Sequence, residues 1–319
     1  MHIPDGFLSS PVAVGYGVAS LAAVGIACRV QRKQGVQSRA LLGVSAAFIF
    51  AAQLVNFPVA AGTSGHLIGA TLAAALLGLP GAIIVLSCVL LVQCLVFGDG
   101  GLLALGANVF NMAVVCSAVG FFGYRLLCGA RPSATRRVAS VAFAGFSATL
   151  AAAASCAGQL ALSGTARLGV VLPAMLGTHA LIGVGEAVLT ALVVSTILRF
   201  RADLLDLAPR ARPRLAPVGY GLGLVISVLV LLVPIASSSP DGLEQVLARL
   251  GLVAHGAPET NAPVANYALP GLPGGALGTV LAGALGVVLL YGACWLLAFA
   301  LVPRAARPER AAHVIEPSG

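Results

Sequence analysis

The chain has 319 residues with only 18 Lys or Arg and 10 Asp or Glu; 59% are hydrophobic and the mean hydropathy is +1.01. Soluble domains are about a quarter charged, so a soluble globular enzyme is excluded, and so is a disordered chain. The net charge of +8 falls in short clusters between apolar runs, whereas a nucleic-acid partner needs a continuous basic face; the surroundings are membrane lipid.

Met1-His2-Ile3-Pro4-Asp5-Gly6-Phe7 opens the chain and leads straight into an apolar run. A cleaved signal peptide carries basic residues before its apolar core. Here there are none, and Asp5 stands in their place, which predicts an uncleaved N-terminus outside the membrane. Its methionine is expected to stay and its formyl group to be removed. The free amine, the His2 amide nitrogen and the His2 ring can then close fused chelate rings around one metal ion. Three corners of a square are filled, and square-planar nitrogen coordination favours Ni(II) or Cu(II). A fourth donor is wanted.

A helix needs ~20 apolar residues to cross the hydrocarbon. Charge-free runs occupy 6–28, 40–98, 100–124, 138–166, 215–240 and 260–303, and 168–198 is interrupted only by Glu186. The run 40–98 is broken from Asn56-Phe57-Pro58 to Gly65 and again at Gly78-Leu79-Pro80-Gly81. This predicts three short helices near 40–57, 66–79 and 81–97, the middle one too short for a clean span. Lys and Arg mark the cytoplasmic side. Placing the clusters at 29–39, 125–137, 199–214 and 304–310 inside puts 16 of the 18 basic residues there and leaves Arg167 and Arg249 outside. The expected fold is an all-α polytopic membrane protein of about nine transmembrane helices, N-terminus outside and C-terminus inside. Residues 1–200 form a seven-helix bundle and 201–216 a cytoplasmic linker. Residues 217–303 form a two-helix hairpin with an extracytoplasmic loop at 238–274, and 304–319 a cytoplasmic tail.

Five histidines are candidates. His66, in Gly62-Thr63-Ser64-Gly65-His66, falls on the same side as the N-terminus and supplies the fourth donor. A membrane histidine faces the bundle interior or an aqueous site, so a purely structural role is its alternative. His179 and Glu186, seven apart on one face, either support the ligands from behind, act as a relay, or hydrogen-bond between helices. Asn56, Asn108 and Asn111 also need polar partners; Asn108 and Asn111 either orient the N-terminal loop or pack helices. His255 and His313 lie in polar segments, where histidines are usually solvated. The seven cysteines are odd in number and sit in or beside apolar runs, which implies small membrane hydrophobes rather than disulfides.

Met1-His-Ile-Pro-Asp-Gly-Phe-Leu8, Asn56-Phe-Pro-Val59, Gly62-Thr-Ser-Gly-His-Leu67, Gly98-Asp-Gly-Gly-Leu102 through Asn108-Val-Phe-Asn-Met112, and His179-Ala-Leu-Ile-Gly-Val-Gly-Glu186 closely resemble the CbiM/NikM family. Its members are the membrane substrate-binding components of energy-coupling-factor ABC transporters for cobalt and nickel. The resemblance covers residues 1–200. It implies a metal bound by Met1, His2 and His66; His179, Glu186, Asn56 and Asn108 are, from their own residue types and places, the candidates for a layer behind them. It also implies partners: an energy-coupling transmembrane subunit and two ABC ATPase subunits in a bacterial cytoplasmic membrane. Ser237-Ser-Ser-Pro-Asp-Gly-Leu-Glu244 resembles the PDGLE segment of the small NikN-type companion. Its Asp241 and Glu244 either attract cations or brace the N-terminal loop, and the fused arrangement resembles nickel systems more than cobalt ones.

No bond-breaking chemistry is expected. A phosphate-binding loop needs a lysine after glycines, and the single lysine, Lys33, follows none. The chain is expected to need no cofactor, its ion being cargo, Ni(II) or Co(II). Small residues at Gly278, Ala282 and Gly286 suit close helix packing. The rival expectation is a stand-alone secondary transporter or channel using His66, His179 and Glu186, although the internal repeats common in such carriers are missing.

Overall fold

A computed structural model describes residues 1–34, 39–60, 62–205, 216–252, 254, 262–271 and 275–301. His255, His313, most of the expected linker and the tail 304–319 lie outside the described residues. The described chain is helical apart from one two-residue strand pair. Helix α1 spans Ser10–Gln34, α2 Arg39–Gln53 and α3 Ala70–Val92. The short α4, Leu105–Asn108, runs through a π-helical stretch, Val109–Val115, into α5, Cys116–Cys128. Then come α6, Ala134–Leu162, α7, Leu168–Phe200, α8, Ala216–Leu232, α9, Gly242–Arg249, and α10, Ala276–Leu301. Six stretches are long and apolar enough to cross a membrane, with shorter apolar helices at Ala40–Gln53 and Gly221–Ile235. The protein is a multi-pass membrane protein.

Helix α3 is bent back on itself. Straight, it would carry Gln93 about 35 Å from Ala70. Yet Gln53 bridges the two ends, its Nε2 donating to the Ile68 carbonyl at 2.9 Å while its Oε1 accepts from Gln93 Nε2 at 2.7 Å. The reversal falls at Gly78, whose φ of 73° no side chain tolerates well, just before Pro80. Leu76 on one arm packs with Tyr124, Cys128 and Leu205 at the far end of the bundle. The expected break at 78–81 is therefore a turn. The expected helix at 66–79 begins later, at Ala70, because Ser64–Gly65 pairs as a strand with Phe57–Pro58.

One apolar core unites the bundle and the later helices: Phe50 of α2 and Phe97 after α3 share it with Val225 and Leu229 of α8 and Leu290 of α10. The bundle's outward face keeps Leu21, Phe122, Leu192 and Leu296 exposed, as lipid contact requires. The polar segment expected at 238–274 contains a helix, α9. Asp241 caps it: its side chain accepts from Glu244 N and the Glu244 side chain accepts from Asp241 N. This reciprocal capping box is what an acidic N-cap followed three residues on by Glu encodes.

Candidate metal centre

The N-terminal heptapeptide is folded into the end of the bundle where Gln53, Ile68 and Gln93 meet. Ile3 N donates to Asn108 Oδ1 at 2.8 Å, and Asn108 Nδ2 returns a bond to the Ile3 carbonyl at 3.1 Å. Asp5 accepts from the backbone N–H groups of Leu102, Leu103 and Ala104, in the turn that leads into α4. Gly101 N bonds the Ile3 carbonyl at 2.9 Å. A Cβ at Gly101 would overlap Asp5 itself, so only glycine lets the loop lie this close. Met1, His2, Ile3 and Asp5 are all buried.

This docking brings the expected donors together. The Met1 amine lies 3.3 Å from His66 Nε2, and the His2 and His66 rings stack with centroids 5.6 Å apart. His66 Nδ1 faces the Leu67 carbonyl at 3.1 Å. Donation there leaves the Nε2 lone pair pointing at the amine, the second-contact logic that fixes a ligating imidazole. Burial, with the Met1 ammonium and His2 nearby, pushes the His66 pKa down to about 3, so the ring is neutral at physiological pH and ready to donate.

His2 is held by a relay that the sequence did not announce. Its Nε2 sits 3.2 Å from Gln93 Oε1, and Gln93 is oriented by Gln53, which is tied to the Ile68 carbonyl. With Nε2–H donating to Gln93, Nδ1 is the nitrogen left to close a chelate with the His2 amide once an ion takes the place of its proton. Its other neighbour is Asp99 Oδ1, 3.3 Å from Nδ1. Burial would raise the Asp99 carboxyl, but His2 and the Tyr267 hydroxyl hold it below the usual carboxylate range. Both glutamines stand in apolar helices, and buried intramembrane polar residues mark sites; that was the signal available. Gln93 also begins a π-helical turn, Gln93–Phe97, and Asn108 directly precedes another, a distortion frequent at functional sites.

The residues expected behind the ligands play different parts. Glu186 accepts from Ile68 N at 2.6 Å and Gly69 N at 3.0 Å, anchoring the loop that carries His66. His179 gives Nδ1 to the Met175 carbonyl at 2.8 Å, and its Nε2 has no partner among the described residues. Asn108 clamps Ile3. Asn56 contributes its carbonyl to Ser237 N and lines a cavity, without touching the donors. Asn111 belongs to helix packing, exchanging bonds with Gln159 and accepting from Ser155.

The later segment reaches the same point. Asp241 Oδ2 lies 2.6 Å from the Met1 amine, and His2, His66 and Asp241 each offer a ligand atom within 4.8 Å of the others. Burial alone would raise the Asp241 carboxyl, but the adjacent ammonium holds it well below the usual range. The centre opens on a cavity of about 920 Å³ lined by Asp5, Asp99, Asp241 and Glu244. No lysine or arginine lines it among the described residues, so its field gathers cations.

Comparison with known proteins gives the same outline. Residues 2–204 match the family model described as the cobalt uptake substrate-specific transmembrane region, and residues 216–303 match the PDGLE domain. A fused NikMN-type relative from Archaeoglobus fulgidus is 37% identical over 304 residues, covering 94% of this chain and 98% of that one. The fused nickel transport protein NikMN of Rhodobacter capsulatus is 35% identical over 251 residues, covering 74% and 72%. Among solved structures, a truncated transition metal transporter aligns with TM-score 0.57 and 36% identity, covering 62% of this chain and 99% of that chain.

Proposed function

The chain belongs to the CbiM family, carrying a PDGLE domain behind the CbiM region, and from that premise we propose that it captures a transition-metal ion, nickel before cobalt, for uptake across the membrane. The observation that carries this reading is the convergence of the Met1 amine on His66 Nε2 at 3.3 Å. Fused chelate rings through the amine, the His2 amide and His2 Nδ1 supply three planar nitrogens, and His66 Nε2 the fourth. That donor set suits Ni(II), and the fused arrangement matches relatives whose names assign them to nickel transport.

In this reading the ion enters through the acidic cavity from outside, where the N-terminus lies. The arginines near Leu127 and Leu205, at the far end of the bundle, face the cytoplasm by the positive-inside rule. With the reversal at Gly78 counted as two crossings, the helices of the described residues pass nine times, seven in the region 1–200 and two after it. The bound ion is cargo, not a cofactor. Delivery needs a partner energy-coupling transmembrane subunit and two ABC ATPase subunits, since the sequence shows no phosphate-binding loop motif. Against the rival pathway through His66, His179 and Glu186 stands the position of Glu186, whose two oxygens each accept from a backbone N–H of the loop that carries His66.

Metal binding by the purified chain with Ni(II), Co(II) and Cu(II) tests the reading. A native N-terminus should bind tightly, and a residue added before Met1 should abolish that binding with the fold intact. Equal binding by both overturns the chelate, and the order of the ions decides the cargo.

A further inference from the structure

The four-nitrogen square uses the Met1 amine, His2 and His66; in the metal-free chain Asp241 of the PDGLE domain is the counter-ion of that amine, and it loses this ion pair once the amine gives up its proton to bind metal. Asp241 Oδ2 lies 2.6 Å from Met1 N, and the two side chains are 16% and 2% exposed. Metal–ligand bonds of about 2 Å at right angles set neighbouring donors about 3 Å apart. The pairs Met1–Asp241 at 2.6 Å and Met1–His66 at 3.3 Å bracket that spacing, so both partners stand where adjacent ligands of one ion stand.

The plane then decides the position. In a square, the amine has two in-plane neighbours: the His2 amide nitrogen, fixed by the chelate, and the fourth nitrogen, His66 Nε2. A further donor adjacent to the amine must lie off the plane. Resting on the capture reading above, we propose that Asp241 Oδ2 is the axial ligand of the captured ion, so that the PDGLE domain completes the metal centre.

Three observations support it. The carboxylate is aimed: Oδ1 is occupied by Glu244 N at 2.8 Å, which leaves Oδ2 as a single ligating oxygen. Its loop is bolted to the loop of His66, with Ser64 N donating to the Pro240 carbonyl at 2.8 Å and Ser64 Oγ to the Ser239 carbonyl at 2.7 Å. Gly242 follows, and a Cβ there would run into Ile182 and the His179 ring, so glycine permits the approach. Charge agrees as well. On binding, one proton leaves the ammonium and one the amide, both to solvent; the amidate offsets one of the ion's two charges and the Asp241 carboxylate the other, with the Asp99 carboxylate beside His2 Nδ1 at 3.3 Å.

Nickel X-ray absorption on the full chain tests this. The pre-edge transition into an empty axial p orbital marks planar four-coordinate nickel. It is expected to be weak in the native chain and strong in Asp241→Ala, with nickel still bound. Asp241→Asn, which preserves the helix cap, is measured beside it and decides the matter if the alanine variant does not fold; it is expected to strengthen the feature part-way. A native spectrum that already shows the full planar feature overturns the proposal, as does one unchanged in the folded variants, and either leaves the four-nitrogen site standing. Nickel binding that survives a residue added before Met1 overturns both.

Discussion

The CbiM region and the PDGLE region meet at the same ammonium group but hold it by different means. On the CbiM side the Met1 heptapeptide is clamped by Asn108, tied by Asp5 to the turn that leads into α4 and faced by His66, whose loop Glu186 anchors. Those bonds come from four separate stretches of chain, so the nitrogen donors are fixed before any ion arrives. On the PDGLE side one carboxylate at the start of an eight-residue helix does the work. The nitrogen groups rest on bonds from many places along the chain, whereas the carboxylate depends on one short helix that Leu243, Val246 and Leu247 fasten to the shared apolar core.

The strongest way to break the comparison is at the frame. His66→Ala removes a donor and is expected to weaken nickel binding by more than about 100-fold, beyond what loss of an outer partner causes, as isothermal titration would measure. A smaller loss places the fourth nitrogen elsewhere.

Next in size is the oxygen side. In the metal-free chain Asp241→Ala strands a buried ammonium and removes a helix cap, expected to cost about 3 kcal/mol of unfolding free energy in detergent, at the low end for a broken buried pair because Asp241 retains some exposure. Asp241→Asn should recover about 1 kcal/mol through the cap. No difference among the three chains would show the PDGLE contact to be idle.

Gln93→Leu sharpens the comparison from within the frame. Without its acceptor, His2 loses the hydrogen bond that selects Nδ1 for the metal, and affinity should fall by about 10-fold. Unchanged affinity in a titration would mean that the tautomer is set elsewhere.

The smallest effect is a pH slope. The folded His66 pKa is pushed down to about 3 from about 6.5 unfolded, so the unfolded chain binds the extra proton between those values. Stability of the metal-free chain should therefore fall on acidification below about pH 6.5, by about 1 kcal/mol per pH unit. Asp241, also held low, adds a loss in the same direction once the pH falls below about 4. Denaturation curves at stepped pH check this; a stability flat from pH 7 to 4 would contradict the burial of His66.

Much of the site was legible because its donors are rare in an apolar chain. Met1-His2 sets adjacent nitrogens together by local geometry, and His66 stood out as an imidazole beside a polar break. The relay was harder. Gln53 and Gln93 are 40 residues apart and meet only because α3 turns back at Gly78. The Asp241–Glu244 pair bore the spacing of a capping box, yet the stretch around it reads as loop, since α9 has only eight residues. Glu186 offered support of the ligands, a relay or a bond between helices, and its backbone partners at Ile68 and Gly69 make it an anchor for the loop of His66.

By itself the sequence determined the class, the succession of apolar helices, their interruption at Gly78-Leu79-Pro80-Gly81 and the adjacent nitrogens of the Met1-His2 N-terminus. These follow from hydropathy, backbone sterics and covalent adjacency, which act along the chain. Only the tertiary structure decided that His66 faces the amine, that Gln93 selects the His2 nitrogen and that the PDGLE domain lays Asp241 against Met1, 240 positions away. Those are meetings of polar groups excluded from lipid, and which groups meet is fixed by how the helices pack, a property no local stretch carries.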